Sequence, residues 1–521
     1  NFTAQRRRRR TDVYAPGGKG GGRPDRALIV YCNLIRRAFG KSVAILAGGI
    51  EASLRRFAHY DFMDDAVRRP ILLDAPADAL VYGMGEWAIV EMAAAMQACA
   101  AGQRDDLSPG AALSAIARRT AGAVWRSAAS ESPPGGMCRL PDFDAARSDA
   151  KAQVAAFNLE RLNRHRGVYQ ECAGHRVVAN PPARPLTRKA LDSVYALTFA
   201  RRAHPSYQER IPALDQVQFS ITSHRGCLGG CAFCGIATHQ GRRVQSRSRE
   251  SILEEVRRIT KHPDFKGTIR DIGGATANMW DAKCDHAKGC TRASCLAPQV
   301  CEHLRHNQSE YAKLLEAAAK IDGVKHLFVS SGVRMDLALA YEPLIEALAR
   351  HHTSGYARVA PEHVAPEILE LMLKPAGNVF ERYVEKFAEA SRAVGKEQYV
   401  LPYFIAAHPG CRIQDMVRVA ELLYRYGLRV EQCQIFTPIP GTASAVMFAA
   451  GINPFTGKDV FVERDLRRRE MQKALVLFHL PKNRKLVEEA LRICGRRDLA
   501  SKLLPTTRTK PAHHARTSRH A

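Results

Sequence analysis

Three cysteines lie close together in the stretch SHRGCLGGCAFC, residues 223–234, which we call the cysteine loop. Cys227 and Cys231 are separated by three residues, and Cys231 and Cys234 by two. A structural zinc site takes four ligands, so it would need a nearby histidine as the fourth. A redox-active C-x-x-C pair would leave one cysteine without a role. An iron–sulfur cluster uses all three thiolates and leaves one iron open for a substrate, as catalytic metal sites do.

A second group of cysteines follows in CDHAKGCTRASCLAPQVC, which we call the cysteine-rich insertion, residues 284–301. Its members are Cys284, Cys290, Cys295 and Cys301, with gaps of five, four and five residues. Four soft ligands suit either zinc or an auxiliary iron–sulfur cluster. The wide, nearly even gaps differ from zinc-ribbon spacing. We therefore predict a second metal site, and leave open an auxiliary cluster, zinc, or no stable metal.

Composition limits the class of protein that positions these cysteines. The 521 residues are 46% apolar and 25% charged, as in ordinary globular proteins, and include no apolar run long enough for a membrane helix. The N-terminus lacks the apolar core of a signal peptide, so we predict a cytoplasmic protein without membrane contact or a disulfide framework. The formal net charge of +26 favours polyanions such as RNA, although arginines scattered over a solvated surface explain it equally well.

Six β-rich runs alternate with amphipathic helical segments between residues 211 and 445. The runs are QVQFSIT, GTIRDIGG, HLFVSSG, YARVAPEH, YVLPYFIAAHPG and RVEQCQIFTPIP. Such alternation predicts a parallel sheet with helical crossovers, here a partial (β/α)6 barrel. The cysteine loop follows the first run, where catalytic groups of such folds are found.

Three other blocks complete the chain. Residues 1–100 have strand–glycine–helix patterns that predict an incomplete doubly wound α/β region. Residues 101–210 are Ala/Arg-rich and broken by proline clusters, which we interpret as a helical linker region. Residues 446–521 predict a C-terminal helical extension that packs on the outside and ends in a basic, disordered tail.

These motifs resemble those of the radical S-adenosylmethionine (SAM) superfamily, in which three cysteines hold a [4Fe-4S] cluster and the open iron is chelated by SAM. APGGKGGGRPDRA, GGIEASLRRFAHYDF, GGATANMW, APEH and FTPIPGT narrow the resemblance to the YgiQ-type family. Members of that family normally begin with a further stretch of a domain similar to cobalamin-binding domains, which this sequence lacks. The D-x-H-x-x-G loop that ligates cobalt is also missing from the sequence, so cobalamin is unsupported.

The resemblance implies roles for further residues. Phe233, which precedes the third cysteine, would lie near the adenine of SAM. Gly273 and Gly274 resemble the superfamily's GGE-type motif, whose backbone meets the SAM amino group, although an alanine and a threonine replace its acidic end. Ser330 and Glu362 follow the third and fourth strand runs, at positions that often touch SAM or substrate. No catalytic base is predicted.

The resemblance also implies the chemistry and the partners. An external one-electron donor of the flavodoxin or ferredoxin type reduces the cluster, which cleaves SAM to a 5'-deoxyadenosyl radical that abstracts hydrogen from an unknown substrate. The protein's part is to position the cofactors and exclude water. Two alternatives stay open: modification of RNA or protein by the same chemistry, and a non-catalytic zinc protein that binds nucleic acid.

Overall fold

A computed structural model describes residues 2–101, 108–286 and 290–504. The predicted basic tail, residues 506–521, lies outside these residues. No helix in the described ranges is long and apolar enough to cross a membrane.

The N-terminal region, up to about residue 200, is a mixed α/β region. Its strands are β1 (Leu46–Ala47), β2 (His59–Asp61), β3 (Ala66–Arg68), β4 (Ala79–Val81), β5 (Ala123–Ala128), β6 (Cys138–Arg139), β7 (Val168–Cys172) and β8 (His175–Ala179). Its helices are α1 (Ala27–Phe39), α2 (Gly49–Leu54), α3 (Ile71–Asp74), α4 (Glu86–Ala101), α5 (Pro109–Ala117), α6 (Phe143–Ser148), α7 (Ala150–Asn163) and α8 (Arg188–Ala196).

Six of these strands form one sheet in the order β1-β4-β5-β8-β7-β6. β1 and β4 pair in parallel, and each is followed by a glycine turn and a helix, as the doubly wound pattern predicts. β5, β7 and β8 then extend the sheet by antiparallel pairing. Buried apolar side chains cover the sheet on both faces, which explains why the region holds together as a layered unit.

The interpretation of residues 101–210 as a helical linker is wrong for much of its length, because β5, β6, β7 and β8 lie there. β7 and β8 form a hairpin through Ala173 and Gly174, whose φ angles of 48° and 74° are both positive. Such two-residue turns match the twist of a hairpin. The usual Asn-Gly or Asp-Gly signal is absent here, and alanine at a positive φ hides the turn from the sequence.

The core region supplies the predicted barrel. Its strands are β9 (Ser220–Thr222), β10 (His224–Arg225), β11 (Gln245–Ser246), β12 (Thr268–Ile269), β13 (Asp271–Gly273), β14 (Lys283–Cys284), β15 (Leu304–Arg305), β16 (His326–Leu327), β17 (Tyr356–Glu362), β18 (Tyr399–Ala406) and β19 (Cys433–Ile435). Its helices are α9 (Leu214–Val217), α10 (Gly235–Gln240), α11 (Arg249–Thr260), α12 (Gln308–Ala319), α13 (Met335–Leu339), α14 (Glu342–Ala347), α15 (Pro366–Leu371), α16 (Val379–Ala393), α17 (Ile413–Arg425) and α18 (Ala443–Ala450).

Parallel neighbours in chain order join these strands into an open barrel. β9 pairs with β13, β12 with β16, β17 with β18, and β18 with β19. A parallel bridge between Val333 and Val359 connects the segment after β16 to β17. The fold is therefore the predicted partial (β/α)6 barrel, because each of the six β-rich runs contributes a strand to one of three small parallel sheets that follow one another in chain order.

The C-terminal helices α19 (Leu466–Val476), α20 (Arg484–Ile493) and α21 (Ala500–Leu503) belong to the same hydrophobic core as the barrel. Leu475 of α19 and Val487 of α20 are fully buried against this core. Helix α19 packs against α17 and also against the barrel strands β18 and β19.

A buried carboxylate, Glu255 on α11, anchors the first barrel strand. It forms ion pairs with Arg201 and Arg247. The Arg201 guanidinium also donates to the carbonyl oxygens of Gln218 and Ser220, and that of Arg247 donates to the carbonyl of Thr222 at 2.9 Å. Glu255 therefore fixes, through two arginines, the strand that delivers the cysteine loop.

We expect Glu255→Gln to lower the free energy of unfolding by about 3 kcal/mol, because the substitution leaves buried guanidinium charge without its partner. Urea unfolding followed by circular dichroism measures the change. The matched control is Glu254→Gln, since Glu254 is exposed and pairs with exposed Arg257, and we expect a change below about 0.5 kcal/mol. Equal effects of the two substitutions would contradict the anchoring role.

Candidate active site

The cysteine loop leaves the carboxyl end of β9 and is closed by backbone contacts. β10 pairs with β11, and the amide of Cys227 donates to the carbonyl of Gly241 at 3.2 Å. Gly226 has φ 85°, and a Cβ there would lie 2.2 Å from the carbonyl oxygen of Arg243. Helix α10 begins directly after Cys234. The loop is thus a tight excursion whose two ends are fixed by the hairpin and the helix.

Cys227, Cys231 and Cys234 line one cavity of about 340 Å³, a size within the range of small-molecule sites. Gly229 lies between two of the thiols: a Cβ there would be 3.3 Å from Sγ of Cys227 and 3.7 Å from Sγ of Cys231. Within the described ranges, no group of three or more His, Cys, Asp or Glu side chains is placed to hold a metal ion, and this includes the three thiols of the cysteine loop in the conformations they adopt here. Three soft ligands around an open cavity, with glycine where a side chain would intrude, fit an iron–sulfur cluster.

Burial raises the pKa of the Cys227 thiol and raises that of Cys234 to about 12. Both side chains are therefore neutral thiols before a metal centre binds. Because metal ligands are thiolates, assembly of a cluster must release these protons.

Charged side chains line the same cavity. Arg334 donates to Asp336 through Nε at 3.0 Å and through its second terminal nitrogen at 2.6 Å. Its remaining nitrogen lies 3.9 Å from Sγ of Cys231. Arg358 also faces the cavity, and it donates to the carbonyl of Ser330. A guanidinium beside a thiol favours the thiolate, so the cavity is electrostatically suited to hold thiolate ligands.

Glu362 lies in the cavity at the end of β17, where the pairing with β18 is irregular between Val359 and Glu362. Its φ is 68°, in the left-handed region that residues other than glycine seldom adopt. Such a conformation costs on the order of 1 kcal/mol and is typical of functional sites. The pKa of its carboxyl group is raised, because the effect of burial exceeds the opposite effect of the nearby Lys374 and Arg334.

Two other predicted site residues lie in the cavity with Glu362. Phe233 lines it and packs edge-to-face against the buried ring of His408, with 6.2 Å between ring centroids. Ser330 lines it too, and the carboxylate of Asp271 accepts from the amide of Ser330 at 2.8 Å and from that of Ser331 at 3.0 Å. The aromatic ring and the turn after the third strand are therefore held in place by their neighbours.

Gly273 and Gly274 are not in the cavity lining, whereas the next two residues, Ala275 and Thr276, are. A Cβ at Gly273 would lie 2.2 Å from the hydroxyl of Ser331, and one at Gly274 would lie 2.6 Å from the carbonyl oxygen of His224. Both glycines therefore permit close packing of the strand ends behind the cavity.

Arg334, Arg358 and Lys374 line the cavity but were not predicted from the sequence. Lys374 is buried and its ammonium donates to the carbonyl of Ala360. It follows α15 in the turn LKPAG, a context that usually indicates a solvated surface lysine. Of the three, only Arg334 could have been suspected from the sequence, because it follows the serine–glycine turn after the third strand run.

The cysteine-rich insertion packs against the cysteine loop. The amide of Cys295 donates to the carbonyl of Leu228 at 3.1 Å, and the hydroxyl of Ser294 donates to the carbonyl of Gly229. Cys295 is buried, Cys301 is half-buried, and Cys284 and Cys290 are exposed. The pKa of the Cys295 thiol is raised, chiefly by burial. The nearby Arg242 opposes this effect, and the thiols of Cys284 and Cys301 add to it.

Family models match nearly the whole chain. Residues 1–220 match "Radical SAM N-terminal", residues 221–423 match "Radical SAM superfamily", and residues 431–521 match a domain of unknown function, DUF3362. The barrel and cysteine loop therefore define the chain as a member of the radical SAM superfamily, a superfamily of enzymes.

Whole-chain relatives identify the family. UPF0313 proteins of Methanocella arvoryzae and Geobacter sulfurreducens are each 44% identical, over 96% and 97% of this chain and 82% of their own length. A UPF0313 protein of Methanosarcina acetivorans is 44% identical over 96% of this chain and 70% of its own. The chain belongs to the UPF0313 family, which is the YgiQ-type family.

Solved structures resemble the chain more distantly. TsrM, a radical SAM methyltransferase from Kitasatospora setae solved with cobalamin and a [4Fe-4S] cluster, is 15% identical with a TM-score of 0.44, over 85% of this chain and 65% of its own. The cobalamin-dependent enzyme OxsB with aqua-cobalamin and SAM bound gives a TM-score of 0.32 at 13% identity, over 62% and 36%. Similarity at this level carries no conclusion about substrate or cofactor.

We expect Gly229→Ala to lower the bound iron by about tenfold, as changes beside metal ligands commonly do, because the added methyl group intrudes between two thiols. Iron and acid-labile sulfide per chain, measured after anaerobic purification, give the readout. Gly135→Ala is the matched control, since a Cβ at Gly135 meets nothing within 4 Å. Full iron content in Gly229→Ala would show that the cluster does not lie between Cys227 and Cys231.

Proposed function

We propose that this protein is an enzyme that cleaves SAM reductively at a [4Fe-4S] cluster held by Cys227, Cys231 and Cys234. The observation that carries the proposal is that these three thiols face one cavity at the carboxyl end of the first barrel strand, with no side chain at Gly229 between them. When bound there, the cluster supplies the electron that breaks a carbon–sulfur bond of SAM and so generates the 5'-deoxyadenosyl radical.

The protein's own residues hold the three ligands in place and would offset part of their negative charge once they bind the cluster. The guanidinium of Arg334 lies beside Cys231 and is oriented by Asp336, whose carboxylate accepts two of its hydrogen bonds. A fixed positive charge beside a thiolate lowers the cost of burying negative charge. The hydroxyl of Ser294 and the backbone amide of Cys295 donate to the intervening loop residues and hold them in place.

SAM carries an ammonium and a carboxylate at one end and an adenine at the other, and the cavity offers partners for each. Glu362 supplies a carboxylate for the amino group, a role that the acidic end of a GGE-type motif would otherwise have. Lys374 and Arg358 supply positive charge for the carboxylate, and Phe233 offers an aromatic face for the adenine. The strained backbone of Glu362 supports a binding role.

We expect the anaerobically reconstituted protein to convert SAM to 5'-deoxyadenosine and methionine when dithionite is added, with the products quantified by liquid chromatography. Cys231→Ala should abolish the conversion, because the cluster loses one of its three ligands. Cys138→Ser is the control and should retain full activity, since Cys138 lies in the N-terminal sheet.

A colourless protein that contains zinc alone and forms no 5'-deoxyadenosine would overturn the proposal. That result would instead favour a non-catalytic zinc protein.

We expect Lys374→Met to weaken SAM binding by about tenfold, the loss typical of one charge-assisted hydrogen bond, without changing the iron content. Equilibrium binding of SAM to the cluster-loaded protein measures the affinity. Lys396→Met is the matched control, because Lys396 also donates to a backbone carbonyl but is exposed. Equal affinity in the two variants would place the SAM carboxylate elsewhere.

The electron donor in this proposal is an external one-electron carrier of the flavodoxin or ferredoxin type. The substrate is unknown, and RNA is one candidate, favoured by the net charge of +26. Five consecutive arginines occupy residues 6–10, and two of them already pair within the chain, Arg6 with Asp65 and Arg8 with Asp25. Binding of RNA with a steep salt dependence would support this candidate, and binding that is absent at low salt would exclude it.

A further inference from the structure

Helix α19 of the C-terminal extension carries two buried polar side chains on one face. Arg469 and Gln472 lie three residues apart, so they are neighbours on the helix surface, and they are 4% and 0% exposed. The helix packs against the barrel strands β18 and β19. Buried polar groups are almost always hydrogen-bonded, so the partners of these two side chains show what this face of α19 supports.

Both side chains bind backbone groups at the carboxyl ends of barrel strands. The guanidinium of Arg469 donates to the carbonyl of Phe436, directly after β19, at 2.6 Å. Oε1 of Gln472 accepts from the amide of Ala407, directly after β18, at 2.8 Å. Ala407 has φ 56°, which residues other than glycine seldom adopt. Because a buried amide needs a partner, Gln472 stabilises the backbone at this turn.

The side-chain amide of Gln472 is held in one orientation. Its Nε2 donates to the carbonyl of Cys411 at 3.4 Å, and the thiol of Cys411 donates to its Oε1 at 3.2 Å. Burial lowers the pKa of His363 to about 3, so this ring is neutral. Its Nδ1 accepts from the amide of Ala365 at 3.0 Å, so its Nε2 carries the proton and donates to Sγ of Cys411 at 3.5 Å. The thiol hydrogen is thereby directed at Gln472.

His408, the residue after Ala407, connects this turn to the cavity. Burial lowers the pKa of His408 to about 3, so its ring is also neutral. Nδ1 lies 2.8 Å from the carbonyl oxygen of Pro409 and therefore carries the proton, and Nε2 accepts from the hydroxyl of Ser444 at 2.7 Å. The ring packs edge-to-face against Phe233, which lines the cavity. The orientation of the Phe233 ring thus depends on His408.

The backbone beside Phe233 is fixed separately from its ring. Ala232, the preceding residue, donates its amide to the carbonyl of Met372 at 2.9 Å and accepts at its carbonyl from the amide of Ser444 at 2.9 Å. A change in the His408 ring therefore affects the Phe233 side chain without releasing the backbone of the cysteine loop.

We propose that Gln472 is a positioning residue for SAM, acting through Ala407, His408 and Phe233. The inference rests on the proposed function, in which Phe233 offers an aromatic face to the adenine. It gives a role to the C-terminal region, since α19 lies within residues 431–521, which match a domain of unknown function. Without the Oε1 acceptor the amide of Ala407 loses its partner, and the adenine contact shifts while the three cysteine ligands stay in place.

The test uses the full chain loaded with its cluster. It measures equilibrium binding of SAM and of 5'-deoxyadenosine, which carries the adenine without the amino-acid end. We expect Gln472→Met, which keeps the length of the side chain, to weaken binding of both ligands by about tenfold, as one unsatisfied buried amide commonly does. Lys374→Met, which acts at the amino-acid end, should weaken SAM binding alone. Gln414→Met is the matched control and should bind both ligands like the parent, because Gln414 is exposed on α17.

Two further variants separate positioning from a general loss of stability. In a Phe233→Leu background, Gln472→Met should weaken SAM binding by less than about threefold, because the ring through which it acts is gone. Ser444→Ala removes only the hydroxyl that holds His408, so it tests the same path even if Gln472→Met fails to fold. We expect Ser444→Ala to weaken binding of both ligands by about threefold. Iron and sulfide per chain should equal the parent values in Gln472→Met and Ser444→Ala.

Weaker binding of both ligands at full iron content would support the inference. Equal losses in the two backgrounds, or iron lost together with SAM affinity, would overturn it. Parent-like affinity of Gln472→Met in a protein that cleaves SAM would overturn the inference alone, whereas a parent that binds neither ligand would overturn the proposed function with it.

Discussion

The arrangement of the site depends on one buried carboxylate. Glu255 has two arginine partners, and these arginines hold the carbonyl groups of the first barrel strand and of the residues just before it. The strand is three residues long and makes few ladder bonds of its own, so side chains must supply what the sheet does not. The cysteine loop and helix α10 follow this strand along the chain, so their positions depend on the Glu255 ion pairs.

The proposed reaction would place a second requirement on the cavity, which would have to stabilise negative sulfur and accept a zwitterion. Charges of both signs line the cavity from different elements: Arg334 after the third strand, Glu362 at the end of the fourth, and Lys374 beyond α15. Because parallel strands end at one edge of the sheet, residues far apart in sequence converge there. Burial then makes each interaction stronger than it would be in water.

The sequence allowed prediction of the barrel and its cysteine loop, because six β-rich runs alternate with amphipathic helices and three cysteines have an uncommon spacing. It did not allow prediction of the β7–β8 hairpin, whose Ala173-Gly174 turn lacks the usual turn residues. Lys374 was hidden for a different reason, since burial of a lysine depends on tertiary neighbours. Gly273 and Gly274 were predicted to contact SAM, but their close packing against Ser331 and His224 depends on the tertiary structure and has no sequence signal.

Helix α10, which begins after the third cysteine, lies between the barrel and the N-terminal region. A methyl group at Gly235 would lie 3.1 Å from Ile439 and 3.4 Å from Leu54, and His239 contacts the hydroxyl of Ser53 at 2.9 Å. The two regions are therefore not interchangeable modules. Recombination between distant relatives at their junction would preserve each fold but place an unmatched surface against α10, so the regions are expected to be inherited together.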